Sequence, residues 1–377
     1  MISSNPLRVL HILPSMQGYG AERQIMQLLP HLQSPEIVAG LLTVYAPSEE
    51  QRCGAEFPIT DAARHGRRDF TFIGRLVEKI CSFRPDIVHT HTHVGKYWGR
   101  FAAVAAGVRS IVHTEHNPCD PRRSVLDRLA DRVLNPYTER CITFFPEQCQ
   151  MLVRTDGVDP RKIAIIPNGL PFDSFPHLDK QAARRLLDIP SDRCAIILVG
   201  RMEYQKNHEL ALRALAALPA GERSRIMLFF AGSGLLEIEL RTLAQTLNVA
   251  EHVRFLGYRS DVPELLAASD VLLMTSHFEG MPLALLEGMH VGAPIVTTPW
   301  LGAQSMLGAG AYGRIATGWQ PADVARAIVQ AASEKAATCA MAERAREYVV
   351  TEFSLSRMAA AHRQLYFELG MRASAAA

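Results

Sequence analysis

No C-x-x-C pair occurs among the seven cysteines (Cys53, Cys81, Cys119, Cys141, Cys149, Cys194, Cys339), and their scatter matches no short disulfide framework, so a reducing cytoplasm is the expected setting. Excess charge is missing too: 40 Lys and Arg face 38 Asp and Glu, which argues against a nucleic-acid binder working through a broad basic face. No uninterrupted apolar stretch reaches the ~18 residues of a membrane span. The Ala-rich segment 101–112 is short and broken by Arg109. The opening MISSNPLRVLHIL lacks the basic flank, long apolar run and cleavage site of a secretory signal. Low-complexity tracts are absent as well, and at 48% hydrophobic and 21% charged residues the composition is that of folded globular units, not of a disordered chain. The expectation is a cytoplasmic protein, soluble or peripheral at the membrane. Local arginine clusters, Arg64, Arg67 and Arg68, then Arg122, Arg123, Arg128 and Arg132, suit anionic lipid headgroups, although most such clusters are solvated faces.

What is present is alternation. At 377 residues the chain is too long for one ordinary core and should form about two domains. Short β-rich apolar runs alternate with helical patterns throughout, the mark of an α/β protein with parallel sheets. The run 7–13 is followed by a loop with Gly18 and Gly20, then by Ile25, Leu28, Leu29 and Leu32 at helical spacing. Strand, glycine loop and helix open a Rossmann-like unit. Further strands are expected at 37–44, 86–91, 110–114, 142–145 and 163–166. After the Pro-rich stretch 167–176 and a helix near 181–187, the pattern restarts with strands at 195–199, 226–231, 253–256, 271–274 and 295–298. The reading is therefore a first Rossmann-like domain over 1–168 and a second over 169–354, divided at Asn168-Gly169. The last segment, about 355–377, carries Met358, Leu365, Tyr366 and Leu369 at helical spacing and is expected to pack back on the first domain.

Two segments carry the chemistry. Glu279-Gly-Met-Pro-Leu-Ala-Leu-Leu-Glu287 follows the strand 271–274, placing Glu279 in the loop at its carboxyl end and Glu287 about two turns into a helix begun by Pro282. Open α/β sheets bind ligands there, where carboxylates can accept hydrogen bonds from sugar hydroxyls and free helix N–H groups suit an anion. On spacing alone, two glutamates flanking a helix are usually solvated. The context is Gly200-Arg201-Met-Glu-Tyr-Gln-Lys206, directly after the strand 195–199. An Arg and a Lys from one loop can neutralise a diphosphate, in the bound ligand and as charge builds on a leaving group. No D-x-D motif is present to hold a divalent ion, so this basic pair has a task to fill and no metal or cofactor is expected.

These two motifs, in this order and separation, resemble glycosyltransferase family 4, with its G-R-x-x-x-x-K and E-x7-E segments. The similarity spans nearly the whole chain: Ile-Pro-Asn168-Gly169 resembles the family's interdomain turn, and Gly18-Tyr-Gly20-Ala-Glu-Arg23 its first-domain glycine loop. The resemblance implies the GT-B architecture, two Rossmann-like domains with parallel sheets facing an interdomain cleft, and a retaining transfer of a hexose-type sugar from a UDP- or GDP-sugar to a glycan or lipid-linked acceptor, in bacterial surface polysaccharide synthesis. It implies Arg201 and Lys206 on the donor diphosphate, Glu287 on the ribose, Glu279 on the transferred sugar, and the backbone of Gly280 and Met281 close to that sugar. Gly18 and Gly20 would let the first-domain loop approach the phosphates. His116, after the strand 110–114, matches a family histidine that faces the reacting sugar, where a neutral imidazole can donate to the sugar or accept from the acceptor. His113 is read as structural.

His89, His91 and His93 have the i, i+2, i+4 spacing that a zinc site on a strand would use, but the strand ends near His91 and no cysteine or carboxylate completes a set. Gly232-Ser233-Gly234 lacks the third glycine of a dinucleotide fingerprint and is read as a tight turn lining the nucleotide site at most. The chain departs from the family after Thr298, where two glycines and a Pro-Glu pair are replaced by Pro299-Trp-Leu-Gly-Ala-Gln-Ser-Met306, so donor choice is left open there. The alternatives are a nucleotide-sugar epimerase of the same architecture, which would interconvert the donor without an acceptor; a nicotinamide-dependent oxidoreductase, disfavoured by the missing G-x-G-x-x-G and its following acid; and a silent binding protein, against which the four charged residues stand.

Overall fold

The structure is a computed structural model and describes residues 5–17, 20–66, 68–117, 120–175, 179–186 and 188–375. The chain divides into two compact units, Met1–Gly169 with Leu355–Ala377, and Leu170–Ser354.

The first unit is built on a seven-stranded sheet: β1 (Leu7–Leu13), β2 (Ile37–Thr43), β3 (Ile59–Asp61), β4 (Ile87–His91), β5 (Ser110–Thr114), β6 (Arg140–Thr143) and β7 (Ile163–Ile165), in the order β3-β2-β1-β4-β5-β6-β7 with every pairing parallel. The second carries six: β8 (Cys194–Val199), β9 (Ile226–Ala231), β10 (Val253–Gly257), β11 (Val271–Met274), β12 (Ile295–Thr297) and β13 (Arg314–Ile315), in the order β10-β9-β8-β11-β12-β13, again all parallel. A parallel sheet is covered on both faces, which is why β1, β2 and β9 read as nearly continuous apolar runs instead of alternating ones. In each sheet the order reverses beside the first strand, between β1 and β4 and between β8 and β11. At such switch points the connecting loops splay apart and leave a crevice at the carboxyl ends of the strands.

The helix Gly20–Leu32 buries Ile25, Leu28, Leu29 and Leu32 against β1 and β2. The C-terminal helix Leu355–Ala375 joins that core through Leu355, Met358, Leu365, Tyr366 and Leu369. It lies so close to β1 that a Cβ on Gly370 would come 2.9 Å from the Leu7 side chain. In the second unit Leu210, Leu212 and Leu215 of one helix and Val324, Ala327 and Ile328 of another close over β8, β9 and β11.

Two strands escape the sequence pattern. The edge strands β3 and β13, Ile-Thr-Asp and Arg-Ile, are short and part polar and form no apolar run, unlike the comparably short Ile-Ala-Ile of β7 and Ile-Val-Thr of β12. The strand expected at 142–145 begins two residues earlier and ends at Thr143; Phe144 and Phe145 prolong the apolar run because they are buried beyond the sheet, not within it.

Candidate functional site

The carboxyl ends of β8 and β11 carry the second unit's crevice. Gly200 leaves β8 at φ +154 and its N–H donates to the Ala231 carbonyl at 2.9 Å. The chain then makes a short 3-10 turn over Tyr204–Lys206, and Asn207, in the left-handed region, caps the helix His208–Ala217 through its side chain. A Cβ on Gly200 would sit 3.0 to 3.1 Å from three carbons of Lys206, so the missing side chain is where the lysine stem lies. Lys206 Nζ then donates to Glu279 Oε1 at 2.7 Å. The turn Gly232-Ser233-Gly234 supports this loop at the closest possible range: a Cβ on Gly232 would be 2.1 Å from the Gly200 carbonyl oxygen, and one on Gly234 2.4 Å from that of Met202.

Glu279 is buried, and three donors from two loops hold its carboxylate. Besides Lys206, Ser276 Oγ donates to Oε1 at 2.5 Å and Gln205 Nε2 donates to Oε2 at 3.1 Å. Gln205 also reaches the Phe278 carbonyl at 3.2 Å, and the His277 N–H donates to the Gln205 carbonyl at 2.9 Å. Thr275 Oγ1 donates to the carbonyls of Lys206 (3.1 Å) and Asn207 (2.8 Å), while Thr298 Oγ1 and Trp319 Nε1 reach the Ser276 carbonyl at 2.7 and 3.3 Å. The loops after β8 and β11 are thus one hydrogen-bonded piece, which fixes the direction of the Glu279 carboxylate before any ligand arrives. Gly280 and Met281 lead from Glu279 into the helix Leu283–Val291, for which Pro282 is the cap. Glu287 is the fifth residue of that helix, hence little more than one turn in, and not two, because Pro282 stands outside the first turn. It is buried, on a helix drawn so tightly onto β11 that a Cβ on Gly288 would meet Leu272 at 2.4 Å. Arg201 is half exposed and pairs with Glu203 at 3.0 Å.

The structure thus places the expected Arg201, Lys206, Glu279 and Glu287 on the loops after β8 and β11 and the helix that follows, while the polar groups that hold Glu279 and these loops, Gln205, Thr275, Ser276, Thr298 and Trp319, were not among the site residues read from the sequence. Gln205 sits in a variable position of the first motif, and Ser276 and Thr275 at a strand end are ordinary loop residues until their partners are known. Within the divergent segment after Thr298, Trp300 is buried and donates to Thr297 Oγ1 at 2.9 Å, so its indole fills core space.

In the first unit Gly18 lies outside the described residues. Gly20 opens the helix Gly20–Leu32 with nothing within 4 Å of where a Cβ would stand. Glu22 in its first turn accepts from Ser15 Oγ at 2.7 Å. His116 follows β5, with Nε2 3.3 Å from His91 Nδ1. Burial, and then the repulsion of His113, lower its pKa to about 4 against the opposing pull of Glu115, so the imidazole is neutral at pH 7. Burial raises the Glu115 carboxyl, but Lys96 beside it outweighs that and holds it well below the usual range. Lys96, Arg100 and Arg123 meet Glu115, Asp131 and Asp156 in a buried network, and Glu115 Oε1 accepts the Asn117 N–H at 3.2 Å, which anchors the turn after His116. His113 is buried with Nδ1 on the Thr90 carbonyl at 3.0 Å.

His93 does not join His89 and His91: it is exposed and reaches Asp127 at 3.2 Å. Instead His11, His89 and His91 bring ring nitrogens within 4.8 Å of one another, a spacing that could hold an ion. All six nitrogens already have hydrogen-bond partners, among them Tyr366 and Thr114.

Two family models match the chain, Glycosyltransferase Family 4 over residues 19–174 and Glycosyl transferases group 1 over residues 179–348. The UDP-Gal:alpha-D-GlcNAc-diphosphoundecaprenol alpha-1,3-galactosyltransferase of Escherichia coli is 31% identical over 242 residues, 61% of this chain and 62% of that protein. The D-inositol 3-phosphate glycosyltransferase of Geodermatophilus obscurus is 29% identical over 267 residues, 64% of this chain and 58% of that one. The match thus spans about three fifths of the length of these curated relatives. Among solved structures, HepE from Anabaena, crystallised with UDP and glucose, superposes with a TM-score of 0.83 at 19% identity, covering 96% of this chain and all of that one, and shares its fold. With the GT-B fold in both sheets and the two models running in turn from residue 19 to residue 348, the chain belongs to the family 4, group 1 glycosyltransferases.

Proposed function

We propose that this protein transfers a hexose-type sugar from a UDP- or GDP-sugar to a glycan or lipid-linked acceptor, with retention of anomeric configuration and without a metal, in the synthesis of bacterial surface polysaccharide. The observation that carries this reading is the second unit's crevice: a lysine held 2.7 Å from a buried, pre-aimed glutamate, with an arginine on the same loop and a second buried glutamate on the following helix. Arg201 and Lys206 take the diphosphate, with charge-assisted hydrogen bonds that strengthen as the leaving group gains charge. Glu287 accepts from the ribose, and Glu279 and the Gly280-Met281 backbone orient the transferred sugar. The C1–O bond to the diphosphate breaks as the acceptor oxygen bonds C1 on the same face, and the departing phosphate oxygen takes the acceptor's proton. Gly18 and Gly20 serve the phosphates and His116 the sugar from the first unit. The E. coli relative, by its name, uses a UDP-sugar and a diphosphoundecaprenol-linked acceptor, which supports this donor and acceptor class.

A cytoplasmic enzyme on a lipid-linked acceptor would work at the inner membrane face. Among the described residues no helix is long and apolar enough to cross a membrane. The helix Val125–Leu134, started by a capping box from Ser124 and Asp127, supports surface contact instead: Val125 (80%) and Leu126 (75%), with Leu129 and Val133, are exposed beside Arg122, Arg128 and Arg132. A thermal-shift screen of nucleotide sugars tests the donor reading. One UDP- or GDP-sugar should raise the Tm of the parent in EDTA and not that of Arg201→Ala; stabilisation by none of them, or equal stabilisation of both proteins, would refute it.

A further inference from the structure

His116 ends a buried line of hydrogen bonds. His116 Nε2 lies 3.3 Å from His91 Nδ1, His91 Nε2 3.0 Å from His11 Nδ1, and His11 Nε2 3.3 Å from the Tyr366 hydroxyl. The same hydroxyl is 2.6 Å from His89 Nδ1, and His89 Nε2 is 2.8 Å from Thr114 Oγ1. His11, His89, His91, Thr114 and Tyr366 are all buried. Burial keeps the four imidazoles neutral, so each has one N–H and one bare nitrogen.

Two proton arrangements run in a single direction along the whole line. In the first, each group donates away from His116: all four rings carry hydrogen on Nε2, and the line ends with His89 donating to Thr114. In the second, each donates toward His116: Thr114 gives its hydroxyl hydrogen to His89 Nε2, His89 Nδ1–H donates to Tyr366, Tyr366 to His11 Nε2, and His11 and His91 pass the direction on through Nδ1–H. Because a hydroxyl can accept twice, a third arrangement lets His11 Nε2–H and His89 Nδ1–H both donate to Tyr366, but it leaves the buried Tyr366 O–H without an acceptor among the described residues; every other mixture sets two hydrogens or two lone pairs face to face, which is costly.

The two are not equivalent, because Thr114 breaks the tie. His89 Nε2 is the one hydrogen-bond partner of its hydroxyl among the described residues, so the first arrangement leaves a buried O–H without an acceptor and the second uses it. We infer that Thr114, His89, Tyr366, His11 and His91 are positioning residues that hold His116 as the tautomer with hydrogen on Nδ1, making its outer nitrogen a hydrogen-bond donor and not a base. For catalysis this rests on the reading of His116 as the group facing the sugar: it would donate to a sugar hydroxyl and leave acceptor deprotonation to the phosphate.

Nitrogen NMR of the ligand-free full chain, labelled with 15N-histidine, reads the tautomers without reference to activity. The expected result is that His11, His89, His91 and His116 all carry hydrogen on Nδ1. Thr114→Val, which keeps the shape and removes the hydroxyl, should give His116 a mixed or Nε2–H population, and Thr114→Ser should restore Nδ1–H. Tyr366→Phe, a second break placed mid-line, should also disturb His11, His91 and His116. Hydrogen on Nε2 of His116 in the parent, or an unchanged His116 signal in both Thr114→Val and Tyr366→Phe, would overturn the inference. Because no nucleotide sugar is present, neither outcome depends on the donor site, whose own failure would appear in the thermal-shift screen.

Discussion

Lys206 and Glu279 have to serve each other before they serve a substrate. Their 2.7 Å contact satisfies a carboxylate that would otherwise be buried without its cation, and on the proposed reading an incoming diphosphate would draw the ammonium toward itself. Lys206→Met should therefore weaken nucleotide-sugar binding about tenfold to a hundredfold, the worth of a charge-assisted hydrogen bond, and lower the Tm as well, both measurable by calorimetry. Arg201, half exposed and in a 3.0 Å surface contact with Glu203, should lose affinity on replacement by Ala while leaving the Tm of the free protein nearly unchanged. At this scale the four charged groups were legible because each lies in a contiguous motif. His11 and Tyr366 were not, since 355 residues separate them and no local spacing announces that they meet.

At the scale of elements, the site depends on backbones that nearly touch. The turn at Gly232 passes the loop at Gly200 so closely, and at so positive a φ, that Gly232→Ala should destabilise the protein by about 3 kcal/mol and impair nucleotide-sugar binding with it; an unchanged unfolding midpoint would contradict this packing. The sequence pattern showed a turn there but not its closeness, because Gly-Ser-Gly is equally compatible with an open loop. The exposed face of the helix Val125–Leu134 is a separate matter. Leu126→Glu with Leu129→Glu should abolish sedimentation of the protein with vesicles containing anionic lipid while leaving its Tm within a degree or so; vesicle binding that survives the double change would remove this helix from the membrane account. Strands were legible where their residues form an apolar run. The core runs appeared as apolar blocks, whereas the edge strands β3 and β13, with three and two residues, are defined only by their neighbours in the sheet.

Across the whole molecule the buried histidines are unevenly divided. His11 is lowered to about 3 and His113, His116 and His362 to about 4, chiefly by burial, and all four lie in the first unit; His208, lowered to about 3, lies in the second. Between pH 6.5 and about 4 the unfolded chain binds protons at these positions that the folded chain refuses, so stability falls as the pH drops, by about 1.4 kcal/mol per pH unit for each such histidine. Hydrogen exchange on the intact protein should show the first unit losing protection before the second as the pH falls from 7 to 5; loss in the reverse order would contradict the burial of this cluster.

The central claim is that two cations and two buried acids in the second unit hold a nucleotide sugar by its diphosphate, ribose and hexose. A crystal structure of the protein grown with UDP or GDP tests it most directly. The account predicts diphosphate oxygens within hydrogen-bonding distance of Arg201 and Lys206, the ribose hydroxyls on Glu287, and no ion between phosphate and protein. A diphosphate bound away from those two side chains, or held to the protein through a metal ion, would contradict it.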